Sequence, residues 1–475
     1  MCCANARRRD ACKLRATNVT KRYAQVTVAI GLIVGLATPV SAFTLRDALE
    51  AAYSNNPTLN AARAQVRVTD ENVPIAKSAG RPQVFGDISG GLNRYFPSAG
   101  GPRYNNTQSF GITAQQNIFR GYRTENSIKQ AKSSIKAERE NLRSTEQDVL
   151  LDAVTAFMNV IRDTAIVNLR RSDLEFLTQQ VQAARDRFDV GEGTRTDVSQ
   201  AEARRAAAQS ELNLAMANVN ASRAVFQQII GVKPKGLVAR DTINRTGLPK
   251  SMEAAVDSGL NGHPVILAAM YNVDAARYNA QVIEGELLPT VSIEGGVNRT
   301  YNHGNLTSTS ARIDSAQILG RVTIPIYQGG NVSSRVRQAK EQLGVAQLQG
   351  DVARDQVRAA AINAWGQYQA AEASIIAARA QVAASQIALN GVLEEQKVGQ
   401  RTTLDVLDSQ RELVNARVSL VGAERDRVVA AYALMSAAGR LTASSLGLSV
   451  RVYQPVEHYE KVKDKWFGLR TPDGR

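Results

Sequence analysis

The chain has 475 residues, of which 44% are hydrophobic but only 5% aromatic, and a formal charge of +14. Its length suits two or three ordinary domains. A composition rich in alanine and glutamine, with few large apolar side chains, argues instead for long, thin helical packing, and interleaved rather than clustered charges lend nucleic-acid binding little support.

The first 42 residues read as a secretory signal peptide. Arg7, Arg8, Arg9, Lys13, Arg15, Lys21 and Arg22 precede an apolar run from Val26 to Val40, and Val40-Ser41-Ala42 is a small-residue cleavage pattern. The run is short for a bilayer span; a membrane anchor is the competing reading. Cys2, Cys3 and Cys12 all lie in this leader, so the chain beyond it has no disulfide and no thiolate nucleophile. Cleavage removes seven basic residues and one acidic residue, leaving 51 and 43 and a net charge of +8. No later segment is apolar enough for a membrane helix, so any membrane entry must use strands.

Residues 43–250 form a first repeat. Helix is expected over 44–80, with Thr44 and Asp47 as a capping pair and Asn56-Pro57 as a break and restart. Strands follow at about 83–95 and 108–119. In the first, Val84, Gly86, Ile88, Gly90 and Leu92 alternate with Asp87, Ser89, Gly91 and Asn93. In the second, Phe110, Ile112, Ala114 and Ile118 oppose Ser109, Thr113, Gln115 and Asn117, the pattern of a hairpin with one apolar and one polar face. A helical hairpin then spans 122–230. No glycine or proline interrupts Tyr122 to Val190, and Ile128, Ile135, Leu142 and Val149 recur every seven residues, a coiled-coil spacing. The repeat ends in a connector with Pro234, Gly236, Gly247 and Pro249.

Residues 251–440 repeat the plan: a helix, strands at about 290–302 and 312–327, and a hairpin over 331–438. Pro82-Gln83-Val84 returns as Pro289-Thr290-Val291, Gly121 as Gly329, Gly191 as Gly399 and Gly231 as Gly439, all at an offset of 207 or 208. Such constancy marks a tandem duplication. The tail, 441–475, with Trp466-Phe467, either packs outside the helices or is disordered. Four strands cannot close a barrel, and an open edge cannot sit in lipid. Two chains give eight strands and a filled interior; three give twelve and a lumen.

The two hairpin tips match. Val190-Gly191-Glu192-Gly193-Thr194-Arg195-Thr196-Asp197-Val198 corresponds to Val398-Gly399-Gln400-Arg401-Thr402-Thr403-Leu404-Asp405-Val406, and only the second is followed by another acid, Asp408. Asp405 and Asp408 share a helix face. Taken alone they are two solvated acids near a helix N-terminus, or six carboxylates around a three-fold axis. Arg401 and Asp405 have the spacing of a local helical ion pair.

These features resemble the TolC family of outer-membrane channel proteins. The strand exits Ile118-Phe119-Arg120-Gly121 and Ile326-Tyr327-Gln328-Gly329 and the Val398–Asp408 tip carry the resemblance, which spans Phe43 to about Leu441. It implies a mixed, mainly α fold: a homotrimer with a shared twelve-stranded outer-membrane barrel and a periplasmic tunnel of antiparallel coiled-coil hairpins. It also implies a periplasmic adaptor and an inner-membrane transporter of RND or ABC type, with export of drugs, toxic compounds or secreted proteins. By matching position, Asp405 and Asp408 constrict the entrance, and Arg401 latches to Asp197 of the neighbouring outer hairpin. Gln396 stands where the family's best-studied member has a latch tyrosine; a glutamine still donates a hydrogen bond. Val190, Gly191, Thr194, Val398, Gly399 and Thr402 are the expected adaptor-docking positions.

His263, His303 and His458 lack metal-ligand spacing, and neither a phosphate loop nor a nucleophile–base set is apparent, so no catalytic residue, metal or cofactor is assigned. The competing class is a trimeric, membrane-anchored coiled coil with a structural or adhesive role.

Overall fold

The computed structural model describes residues 43–234, 236–238, 243, 247–305 and 311–474. The expected leader, 1–42, and part of the connector lie outside them.

Helix α1, Leu45–Asn55, starts at a reciprocal capping box: the Asp47 carboxylate accepts from Thr44 N at 2.8 Å and the Thr44 hydroxyl accepts from Asp47 N. Asn56 ends α1 and caps α2, Pro57–Asp70. Its Oδ1 accepts from the amides of Thr58 and Leu59, and its side-chain amide donates to Ile229 O at 2.8 Å. Helix α3, Asn72–Ser78, leads into β1, Gln83–Tyr95, and β2, Arg103–Arg120. Next come α4, Arg123–Asp189, and α5, Arg195–Ile230. The second half repeats this order with α6, Met252–Gly262; α7, Pro264–Glu284; β3, Thr290–Gly304; β4, Ala311–Thr323; α8, Asn331–Lys397; and α9, Thr403–Ala437. Among the described residues no helix is long and apolar enough to cross a membrane.

The strands form one antiparallel sheet, ordered β1-β2-β3-β4. Its edges differ from the sequence expectation. Strand β2 begins at Arg103 because residues 103–107 pair with 91–95, which contracts the turn. Strand β4 stops at Thr323, not near 327, because Pro325 has no N–H to give the ladder; Ile324 and Ile326 lie beyond the sheet. The register shifts between Asn117 and Phe119, so Phe119 rather than Ile118 pairs with Val291.

Directly paired residues share a face. The register aligns Val84, Ala114, Gly295 and Ile318 in one row and Gly86, Ile112, Val297 and Ala316 in the next. The opposite face carries polar side chains bonded across strands, with Ser109 Oγ 2.7 Å from Asn298 Oδ1 and Thr107 Oγ1 3.1 Å from Asn302 Oδ1. In the single chain every residue of β1 is exposed, Ile88 and Leu92 included.

Helices α4 and α8 have 67 residues each, or roughly 100 Å at 1.5 Å per residue. Each is paired with its shorter return helix, α5 or α9. Core is thickest where α1, α4, α5 and α9 meet: Leu49, Leu150, Phe157, Phe226, Ile230 and Met435 are buried together. Toward the tips it thins to one side-chain layer of Leu177, Val181, Ala184, Ala201, Ala208 and Leu407, which seats α9 on the first hairpin.

The tail packs outside the helices. Leu441 and Ala443 are buried, and a further helix, α10, Pro455–Val462, lies on α2. His458 Nδ1 is 3.0 Å from Asp70 Oδ2, and Arg81 lies over the Trp466 ring.

The two strand-to-helix exits differ in how closely another backbone approaches them. Gly121 and Gly329 both have φ near +60°. A Cβ on Gly121 would sit 2.2 Å from Gly285 O, whereas one on Gly329 would meet nothing within 4 Å. Gly329→Ala should therefore carry only the left-handed penalty of about 1–2 kcal/mol, while Gly121→Ala must also displace the end of α7. Thermal melting of the two purified variants checks this; equal losses would mean that the crossing is not tight.

Candidate functional site

The free ends of the hairpins are congruent. Val190 caps the C-terminus of α4 and Val398 that of α8, with Gly191 and Gly399 at φ +80° and +78°. Glu192 N donates to Arg187 O at 2.8 Å and Gly191 N to Phe188 O at 3.0 Å; Gln400 N donates to Glu395 O at 2.9 Å and Gly399 N to Gln396 O at 3.0 Å. Both are Schellman terminations, with carbonyls of the last turn satisfied by the reversing chain. Both return helices open on a capping box. Asp197 Oδ2 accepts from Thr194 N at 3.1 Å and from its hydroxyl at 2.6 Å. Asp405 Oδ2 accepts from Thr402 N and Oγ1 at 2.9 Å each. Thr194, Asp197, Thr402 and Asp405 thus build the turns. Val190 and Val398 project into solvent, 71% and 70% exposed, and the space around both tip glycines is open.

A cavity of about 370 Å³ lies between the tips, lined in part by Arg187, Asp197, Gln396, Gly399, Arg401 and Thr402. It brings three expected latch residues around one space, but within the chain Arg401 does not bond to Asp197. Its Nε donates to Glu395 Oε2 at 2.8 Å. The cause is local: the Schellman bond from Gln400 N to Glu395 O folds residue 401 back over the last turn of α8. Glu395 holds the Arg401 guanidinium above its usual range, with Asp405 adding to the effect. Hydrogen bonds from Thr402, then the nearby Arg401 charge, keep the Asp405 carboxyl below the ordinary value. Gln396 is buried, with Nε2 3.4 Å from Thr403 Oγ1 of its own hairpin.

Asp408 points to the first hairpin, where Arg204 Nη2 of α5 donates to its Oδ1 at 2.7 Å. The sequence reading missed both Arg204 and Glu395. Arg204 sits beside Arg205 in an alanine-rich helix and has no spacing that separates it from a solvated arginine. Farther from the tips the seam continues with buried Gln410 Nε2 donating to Asp173 Oδ1 at 2.8 Å, and Arg425 Nε to Asn159 Oδ1 at 2.9 Å. Polar contacts therefore tie α9 to α4 and α5 along much of their shared length.

The model of the outer membrane efflux protein family matches residues 48–232 and 255–440, one match on each half of the duplication. The chain belongs to the outer membrane efflux protein family. It is 48% identical over 432 residues to the outer membrane efflux protein BepC of Brucella suis biovar 1, covering 91% of this chain and 93% of that relative. It is 28% identical to the outer membrane protein TolC of Vibrio cholerae serotype O1, covering 88% and 94%. The solved structure of CusC superposes with a TM-score of 0.73 at 18% identity, over 84% of this chain and 92% of that one, and so shares the fold. This efflux-family chain thus has the TolC-like plan of four strands and duplicated helical hairpins.

Asp173 gives the seam a pH dependence. Burial raises its carboxyl above the ordinary value, against the opposing Gln410 bond and Arg170 charge. The folded protein therefore binds this proton more readily than the unfolded chain. Stability from this group rises as pH falls through the raised value and levels off below the unfolded one. Asp173→Asn keeps an acceptor for Gln410 without the charge. It should melt a few degrees above the parent at pH 7.5, with the gap narrowing at pH 5; a gap independent of pH would remove Asp173 as its source.

Proposed function

We propose that three copies of this chain form an exit duct for efflux or type I secretion, crossing the outer membrane as a twelve-stranded barrel and the periplasm as a helical tunnel. The observation that carries this reading is the open-edged, two-faced sheet at one end of two parallel-running helical hairpins of roughly 100 Å. Its edges need partner strands in lipid, and its polar face suits a water-filled lumen. A stalk or adhesin has no use for returning hairpins or for matched tips.

The duct is gated at the tips. Asp405 and Asp408 from three chains ring the entrance, and Arg401 reaches Asp197 of the neighbouring outer hairpin, giving up Glu395 of its own hairpin. The cavity shared by Arg401 and Asp197 supports this placement. Val190, Gly191, Thr194, Val398, Gly399 and Thr402 offer solvent-facing ends to a periplasmic adaptor, which couples the duct to an inner-membrane transporter of RND or ABC type.

Conductance of the purified trimer in planar bilayers tests the reading, and no channel at all would sink it. Arg401→Ser and Asp197→Asn should each raise conductance several-fold; the asparagine keeps an oxygen for the Thr194 cap while removing the charge. Glu395→Gln should not, since it only frees Arg401. A leak from Glu395→Gln with none from Asp197→Asn would place the latch inside one hairpin. Replacing Asp405 and Asp408 together by alanine should weaken block by divalent cations, and unchanged block would take them out of the constriction.

A further inference from the structure

The sheet register divides the apolar face into two bands. From the row of Val84 to the row of Ile88 and Phe110, β1 and β2 place no ionisable side chain on this face. The paired stretches of β3 and β4 bring none until Arg299 and Asp314, which share the Ile88 row. Beyond it, toward the strand turns farthest from the helices, the same face carries Arg94, Tyr104, Tyr301 and Arg312. Three arginines thus stand against one aspartate beyond an uncharged band, Arg299 and Arg312 in the two rows that follow it and Arg94 two rows farther.

Two of the arginines are ordered. Arg299 Nε and Nη2 lie 2.7 and 3.2 Å from the two Asp314 oxygens, and Arg312 Nη2 lies 2.9 Å from Oδ2. One carboxylate therefore holds two guanidiniums side by side, and each guanidinium has five N–H donors, more than that carboxylate engages. Tyr301 packs edge-on against Phe110, with ring centroids 6.4 Å apart, at the boundary between the bands. The opposite face has no such cluster at this height; its row there holds Ser89, Ser109, Thr300 and Ile313, and Asp87 lies one row below.

We propose that this belt is a recognition surface for a phosphorylated lipid of the outer leaflet, with phosphate on the arginine pair and acyl chains along the uncharged rows beneath. The proposal rests on the outer-membrane barrel reading above. A guanidinium pair matches phosphate in charge and in fork geometry. Free phosphate would leave the adjoining apolar rows unmatched, and a neutral lipid would leave the arginines unmatched; an amphiphile with anionic headgroup and acyl chains meets both. The tyrosines sit where interfacial aromatics are favoured. The net positive charge repeats with each protomer, so the trimer presents an annulus of such sites.

The test is lipid retention by the purified trimer in detergent, read by native mass spectrometry. Bisphosphorylated lipid A, its enzymatically dephosphorylated form and phosphatidylcholine are the probes, with millimolar inorganic phosphate as competitor. The parent trimer should retain bisphosphorylated lipid A at least tenfold better than the other two, and inorganic phosphate should not displace it. R94Q/R299Q/R312Q should lose that preference while conducting normally in phosphatidylcholine bilayers. Equal retention of the dephosphorylated form, or displacement by inorganic phosphate, overturns the proposal. The lipid series on the parent protein decides the matter even if the triple variant fails to insert. An active channel without lipid preference removes this inference and leaves the duct; absence of any channel removes the duct, and is read independently of retention.

Discussion

The constraint on which the rest depends is the open edge of the sheet. Strands β1 and β4 each present a row of backbone donors and acceptors that no strand among the described residues pairs. In water these groups bond to solvent; in hydrocarbon each one unpaired costs several kcal/mol. The sheet therefore has no stable place in a bilayer until β4 of one chain meets β1 of another. Exposed Ile88, Leu92 and Ile318 express the same incompleteness from the side-chain face. Assembly is thus a condition of membrane entry for this strand count rather than a later event.

The helices face a different problem. With a sparse apolar stripe, no hairpin far from the α1–α4–α5–α9 junction has a thick core, and alanine-rich faces let helices approach closely instead. Where apolar area is scarce, directional contacts hold the register: Arg204 with Asp408, Gln410 with Asp173, Arg425 with Asn159. Such contacts contribute little where exposed to solvent. A seam of this kind holds the hairpins together without locking them, which suits the proposed gate.

Duplication gives the two tips identical turn mechanics and frees their side chains to differ. Both use a threonine–aspartate capping box and a Schellman glycine, so the aspartates of the motif already have structural work in a single chain. The second tip adds Asp408 and places Arg401 where the first has Gly193. Asp197 and Asp405 therefore serve the turns as well as the proposed gate, and their substitution affects both together.

The sequence alone determined the duplication, written as a constant offset of 207 or 208 residues, and the strand alternation, the uninterrupted helices and the glycine turns, each written in short-range spacing: period two, period seven, positive φ, a missing N–H. Tertiary structure alone decided which partner each charge takes. Arg401 has an acid four residues on, yet the turn folds it onto Glu395 behind it; Asp408 has a partner 204 residues away that no local pattern marks. It also decided which strand residues share a row, and so where the arginines meet above the apolar band. Backbone conformation is governed by neighbours in sequence, while a charge on a long side chain is governed by whatever the folded chain brings within a few ångströms.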